Sequence, residues 1–343
     1  MGDGQPRDNV HRSNRKSSQL HLRPTRLKTA TETLSMTPPS SQTKADRPLL
    51  ALAFRLGGIA GFALMAALIK LAAESGVHIV ELIFWRQLVS LPILLGWALL
   101  TDGLMQLATK RPKAHAVRAA YGIVGMVLNF GGVILLPLAE ATTLGFTAPI
   151  FAVLLSIVLL KESVGIWRWS AVIAGFIGIV IIAQPGSGAI PLTGALVALG
   201  GAFMIALISI QIRDLSRTDS PLVIVFWFSL ATVVTLLVPV LVLFEPHSTR
   251  EWLLLLGIGL AGTVGQVLIT MALRFGQVSS VIMMDYSSII WATLYGWLFF
   301  AMLPTSALWI GAPVVILSGL VITWRERVVA GRLPVERQGR AGT

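Results

Sequence analysis

The chain has 343 residues, of which 55% are hydrophobic and only 13% charged, with a mean hydropathy of +0.78 and a net charge of +11. A soluble domain carries about 25% charged residues. The apolar residues here run for twenty or more at a stretch, long enough to cross a ~30 Å hydrocarbon layer, so a soluble enzyme is excluded. Cysteine is absent, which removes disulfides, thiolate metal sites and cysteine nucleophiles.

Residues 1–48 stand apart. They are rich in Ser, Thr, Pro and Arg, hold nine Lys/Arg and four acids, and contain no apolar run. Such a stretch cannot bury enough surface to fold. It reads as a disordered basic cytoplasmic tail, or as a start placed too early with Met36 the true initiator; an Arg/Ser-rich presequence is a third reading. From Leu49 onward ten spans are expected, at about 49–72, 79–100, 115–136, 139–160, 166–184, 192–212, 221–244, 252–273, 278–300 and 306–324. Polar or Pro/Gly joints separate them, and the short joint Pro137-Leu138-Ala139-Glu140 makes spans three and four an antiparallel hairpin. Residues 325–343 form a second basic tail.

Positive charge sets the orientation. With the N-terminus in the cytoplasm, 23 of the 27 Lys/Arg fall on the inner side and Arg250 alone on the outer, while Arg55, Lys70 and Arg86 lie within spans. Both termini are then cytoplasmic.

An internal repeat is visible. A shift of 137 lays spans three and four on eight and nine, so that Gly122 meets Gly259, Gly125 meets Gly262, Val127 meets Val264 and Asn129 meets Gln266. Thr142-Thr143 meets Ser279-Ser280, and a small further offset brings Gly178 onto Gly319. Membrane helices are Gly- and Ala-rich, which produces chance matches, but an uncharged amide in hydrocarbon is costly without a partner, so the Asn/Gln coincidence carries weight. Five spans per half is an odd number, so the second half inserts upside down. Inverted repeats build carriers that alternate access around a midplane site. The expected fold is an all-α integral membrane protein, ten transmembrane helices as two inverted five-helix repeats over 49–185 and 191–324.

The chain resembles the EamA-type carriers of the drug/metabolite transporter superfamily. The resemblance rests on Asp285-Tyr286 through Trp291-Ala292, Gly296, Phe299, Pro304, Gly311, Ser318-Gly319 and Arg325-Glu326, and in the first half on Glu81-Leu82-Ile83-Phe84-Trp85-Arg86, Phe146-Thr147-Ala148-Pro149 and Lys161-Glu162. It implies a central cavity lined mainly by spans 1, 3, 4, 6, 8 and 9, and a cargo such as an amino acid, S-adenosylmethionine or riboflavin. Where the family usually has Gly-Glu at the end of span nine, this chain has Ala301-Met302.

Ionisable residues within spans are functional candidates by default. Arg86 lies ~12 Å from the outer end of span two, at 1.5 Å per residue, and Asp285 a similar distance from the inner end of span nine. A guanidinium reaches far enough to pair them, which lowers the cost of both charges. The pair reads as a switch displaced by substrate or proton, as a permanent structural pair, or as an arginine snorkelling outward. An Asp285 shielded in an apolar cavity would take up a proton readily, which suits proton coupling. Lys70, with Glu74 one turn on, reads equally as a snorkelling interfacial pair and as a cavity-mouth charge. Glu81 reads as interfacial, and Arg55 and Arg118 as anchors at the inner ends. Asn129 and Gln266 need internal partners; they are placed around the cavity, with interhelical glue the rival role. Tyr286, Thr147 and Ser209 are lesser candidates. Pro149 removes a backbone donor in mid-span and kinks it, and Gly57-xxx-Gly61 gives span one a small face for close packing.

The function expected is a secondary-active transporter of a small metabolite working by alternating access in a bacterial inner membrane, with proton coupling an open addition. A membrane-embedded enzyme, a channel and a non-transporting assembly subunit are the alternatives. The partners are a small-molecule substrate and the lipid bilayer, with a homodimer allowed; no nucleic acid, metal or cofactor is expected, since HExxH, a phosphate-binding glycine loop and an acidic pair at helical spacing are all missing.

Overall fold

The computed structural model describes residues 1–2, 48–101, 103–160, 165–186, 190–275 and 284–339. Contacts divide the chain into Met1–Thr43 and Lys44–Thr343, and the architecture below is that of the second unit. The tail with Met36, the Lys161-Glu162 joint, the Ser279-Ser280 match and the first residues of span nine lie outside the described residues.

The helices are α1 Pro48–Glu74, α2 Ile79–Leu100, α3 Pro112–Leu135, α4 Leu138–Gly145, α5 Ala148–Leu160, α6 Ile166–Ala183, α7 Leu192–Leu215, α8 Pro221–Leu243, α9 Thr249–Phe275, α10 Ser288–Phe300 and α11 Ser306–Gly339. Single 3-10 turns stand at Leu104–Leu107 and Met284–Ser287. Among the described residues there is no strand, and nine stretches are long and apolar enough to cross a membrane, α4 and α5 together forming one of them, Leu138–Leu159. Of the expected span 278–300 the described part is the 3-10 turn and the 13-residue α10.

Pro149 breaks span four where the sequence expects a kink, but the break falls a little earlier. Phe146 and Thr147 separate α4 from α5, so Pro149 becomes the second residue of α5, where its missing N–H has no helical partner to lose. Thr147 closes the break with its own hydroxyl, which donates to the Leu144 carbonyl at 2.6 Å. At the end of α10, Ala301 takes a left-handed φ of 51°. This is the position at which the resembled family usually has glycine. Glycine adopts that conformation without the Cβ clash that costs an L-residue ~1 kcal/mol.

The links are short enough to fix the sense of each helix. Four residues join α1 to α2 and two join α3 to α4, so α1, α3 and α8 begin at one face (the near face) and α2, α7 and α9 at the other (the far face). The main contacts pair α1 with α9, α3 with α7, α6 with α11, and α2 with α8. Further contacts join α2 to α9, α3 to α8, α1 to α10 and α5 to α7. Exchanging α1–α3 for α7–α9, α5 for α10 and α6 for α11 maps this pattern onto itself, as a two-repeat architecture requires. The two halves are therefore interlocked. They build two mixed groups, α1/α2/α9 and α3/α7/α8.

Small residues let these crossings close. A Cβ on Gly58 would stand 2.9 Å from the Gly265 carbonyl oxygen, and one on Gly265 3.1 Å from that of Gly58; both obstacles are backbone and cannot yield. At the equivalent crossing a Cβ on Gly201 would lie 3.2 Å from the Asn129 amide nitrogen. Without a hydrophobic force between helices in lipid, such backbone proximity is what supplies packing energy.

Polar ties hold each group at its ends. At the far face the His247 ring nitrogen Nε2 meets Glu81 Oε2 at 2.6 Å, with Trp252 packed edge-on against both His247 and Trp85. Glu81 is buried at this face, because His247 supplies its partner. The start of α9 is closed by a reciprocal capping box, Ser248 N–H donating to Glu251 and Glu251 N–H to Ser248 Oγ, which satisfies two donors that a helix start leaves open. At the near face Arg111 pairs with Asp214, and Asp219 faces the His115 ring at 3.4 Å.

Burial works against ionisation of the Asp219 carboxyl, but hydrogen bonds with Thr218, Thr109 and His115, and the attraction of His115, outweigh it and hold the group below the usual carboxylate range. A depressed acid contributes stability that is complete above its unfolded value and is lost as pH falls through its folded one. The melting temperature of the detergent-solubilised protein is expected to fall on acidification below about pH 4, and by less in Asp219→Asn, which has no charge to lose. Parallel melts of the two proteins from pH 6 to pH 3 check this; identical slopes would refute it.

Candidate functional site

A cavity of about 700 Å³ lies between the two helix groups. Phe62 and Met65 of α1, Arg86, Gln87, Ser90 and Leu94 of α2, and Gly262, Thr263 and Gln266 of α9 form one wall. Arg118, Gly122, Gly125, Met126 and Asn129 of α3, Ile205, Ile208 and Ile212 of α7, and Pro221, Ile224, Phe228 and Ser229 of α8 form the other. The lining runs from Ser216 and Pro221 at the near face to Met65, Arg86 and Gln266 deeper in. Expected span six (α7) lines it together with spans 1, 3 and 8, as the resemblance implies, but among the described residues spans 4 and 9 do not. Spans 2 and 7 (α2 and α8) take their place, because they cross beside the pseudo-twofold axis, where Ser229 Oγ donates to Gln87 Oε1 at 3.4 Å.

Arg86, Asn129 and Gln266 come together on this cavity, and Asp285 does not. The expected Arg86–Asp285 pair is absent. Asp285 instead receives Arg55 Nε at 2.7 Å and Nη2 at 2.5 Å, one on each carboxylate oxygen. Arg55 stands on α1 near the same face as the start of α10, whereas Arg86 is directed across α2 toward α1 and α3. Arg86 Nε contacts the Met65 sulfur at 3.3 Å, and Nη1 contacts Gln87 Oε1 at 3.2 Å and the Met126 sulfur at 3.9 Å. Gly262 makes room for it: a Cβ there would meet Arg86 Nε at 3.2 Å.

Lys70 neither snorkels nor lines the cavity. It is buried, 5% exposed, and its ammonium donates to the carbonyls of Leu136, Ile134 and Val133 at 2.8, 3.2 and 3.4 Å. These carbonyls close α3, and the last turn of a helix leaves its acceptors open. Arg55 is a buried ion-pair partner rather than an anchor. Tyr286 packs edge-on against Phe146 at 5.0 Å and faces Gly319, Thr147 and Pro149 belong to the break in span four, and the Ser209 hydroxyl is spent on the Ile205 carbonyl.

Gln87, Ser90, Ser229, Thr263 and Phe228 also line the cavity and were not singled out by the sequence, and Arg118, read there as an inner-end anchor, lines it too. The signal for several of them was helical spacing. Arg118, Gly122, Met126 and Asn129 lie four, four and three residues apart and so share one face of α3, as Arg86, Ser90 and Leu94 do on α2. Ser90 and Thr263 share a 2.6 Å hydroxyl hydrogen bond that joins α2 to α9 beside that wall. Arg118 is 9% exposed, lies over the Phe228 ring at 4.4 Å, and its Nε and Nη1 have no hydrogen-bond partner.

A largely apolar cavity carrying a few polar side chains between repeat-related helix groups is the architecture of a carrier, and comparison with known proteins agrees. The family model described as the EamA-like transporter family matches this chain twice, over residues 49–184 and 192–324. The chain belongs to the EamA-like transporter family. It is 33% identical over 240 residues to the riboflavin transporter of Vibrio cholerae serotype O1, covering 67% of this chain and 80% of that one. It is 28% identical over 263 residues to the pseudopaline exporter CntI of Pseudomonas aeruginosa, covering 76% and 92%, and 24% identical over 252 residues to the S-adenosylmethionine uptake transporter of Rickettsia prowazekii, covering 73% and 85%. A solved crystal structure shares the fold with a TM-score of 0.54 at 22% identity, over 81% of this chain and 98% of that one. This member of the family is thus a multi-pass membrane protein that transports small molecules, and the relatives are named as transporters, not enzymes.

Proposed function

We propose that the chain is a secondary-active carrier that moves a small metabolite across a bacterial inner membrane by alternating access, with both termini in the cytoplasm. The cavity between α1/α2/α9 and α3/α7/α8 carries the proposal. Its walls exchange under the repeat, so the arrangement that leaves it lined to the near face has a counterpart lined to the far face. Asn129 and Gln266, matched by the repeat, stand on opposite walls of it. Lys110, Arg111, Lys113, Arg213 and Arg217 stand around the near face and Arg250 at the far one, which supports a cytoplasmic near face by the positive-inside rule and makes this the inward-facing state. Riboflavin, S-adenosylmethionine and pseudopaline, the compounds in the relatives' names, set the scale of the cargo. The two-pronged pair with Arg55 supports a structural role for Asp285, so no proton step is assigned to it.

Protein reconstituted into liposomes and supplied with a bacterial metabolite extract tests the proposal. Uptake of at least one metabolite that saturates and is competed by its own unlabelled form is expected. Flux that stays linear over the same range would make the protein a channel, and no flux of any component would overturn transport.

A further inference from the structure

The cavity holds two guanidinium groups and, among the described residues that line it, no carboxylate. This imbalance is unusual for buried charge. A cation taken out of water is normally returned a carboxylate or a full set of hydrogen bonds, as Arg55 is by Asp285. Arg118 has neither. It is nine-tenths buried, its planar face is covered by Phe228, and its Nε and Nη1 are left without an acceptor. Among the described residues Arg86 meets two thioethers and one neutral amide. Both are held in place from behind: Arg118 by the ring that the repeat sets at Arg86's own position on α8, since Phe228 is the eighth residue of α8 as Arg86 is of α2, and Arg86 by the gap at Gly262.

From these contacts we infer that the cargo is an organic anion, recognised through its carboxylate or phosphate oxygens by Arg118 and Arg86. A guanidinium fork matches two oxygens of either group, which adds orientation to attraction. Arg86 touches Met126, and the Arg118 guanidinium lies against Gly122, one turn before Met126 on the same face of α3, so the two forks flank one stretch of the cavity. Around them Phe62, Ile205, Ile208 and Ile212 give the lining an apolar character. That arrangement fits an anionic head taken first by Arg118 near the mouth and passed to or shared with Arg86, with a compact apolar or aromatic body against the surrounding apolar side chains. Cationic cargo without an acid group is disfavoured by both charges.

The inference rests on the carrier function proposed above, and the same liposomes separate the two. Metabolites taken up from the extract are identified by mass spectrometry and sorted by charge, for wild type, Arg118→Gln, Arg118→Lys, Arg86→Gln and the exposed control Arg250→Gln. Monodisperse elution and an unchanged melting profile select the variants that fold. Carboxylates or phosphates are expected to dominate uptake. Arg118→Gln should raise their half-saturating concentration about ten-fold or more, as loss of a charged hydrogen-bond pair implies. Arg118→Lys should recover part of that, and Arg250→Gln should change nothing. Saturable uptake confined to neutral or cationic metabolites, or anion uptake untouched in folded Arg118→Gln and Arg86→Gln, overturns the inference while leaving the carrier intact. If Arg118→Gln does not fold, Arg118→Lys and Arg86→Gln decide the same question.

Discussion

Replacing Lys70 by methionine is expected to destabilise the protein by about 3 kcal/mol, read as a lower midpoint of unfolding in mixed detergent. Three carbonyls at the end of α3 accept from one ammonium group. Methionine fills much the same volume, so packing is kept and the change isolates the polar loss. Two of the three abandoned acceptors are buried and the third is partly so, and hydrogen bonds to a charged donor are worth ~1.5–3 kcal/mol. The saving from no longer burying an ammonium offsets part of that sum. Lys70→Arg is expected to recover little. Three convergent carbonyls suit a compact group with three rotatable donors, whereas a planar fork directs its donors along fixed lines, and the Phe300 ring 5.6 Å away limits the room. Because Lys70 ties α1 of one helix group to α3 of the other at the far face, the methionine variant should also label faster at a cysteine introduced at Glu74 with an impermeant reagent. An unchanged unfolding midpoint would mean that the end of α3 finds other donors.

The helices were legible in the sequence because in lipid the backbone must satisfy itself within each span, which leaves long apolar runs with sharp polar ends. The repeat was legible for a related reason: Asn129 and Gln266 are amides in apolar surroundings, and such residues are too costly to be incidental. Partner choice was not legible. Depth along a span places Arg86 and Asp285 within reach of each other but says nothing of azimuth, and the ~100° per residue of a helix decides which neighbour a side chain meets. Arg55, seven residues into α1, has the azimuth that faces the turn before α10, so it takes the aspartate. Lys70 was misread for the same reason, since spacing to Glu74 is visible in a sequence and the open carbonyls of another helix are not. Arg118 looked like one more basic residue at a cytoplasmic end. Only the contacts of α3 with α8 put Phe228 over its face.

Asp285→Asn is expected to cost about 2 kcal/mol and to leave the pH profile of transport unaltered. Removing one partner of a buried ion pair costs ~3–5 kcal/mol, mostly the penalty of the charge left behind. Here the survivor, Arg55, is 7% exposed, but the Asp285 side chain is 40% exposed, so water reaches the pair and lowers the figure. The origin of the loss is testable by removing both charges. If the stranded guanidinium is what destabilises Asp285→Asn, the double variant Arg55→Met, Asp285→Asn should be more stable than the single one, with a coupling of ~1–2 kcal/mol in the resulting cycle. The double variant also separates structure from chemistry. In it no structural charge is stranded, so any change of uptake between pH 5.5 and pH 8 belongs to the carboxylate itself. A carrier that used Asp285 to take up a proton would lose its pH dependence there. One in which Asp285 serves only to hold Arg55, and through it the turn at Met284–Ser287 against α1, keeps the wild-type profile at reduced or normal rate.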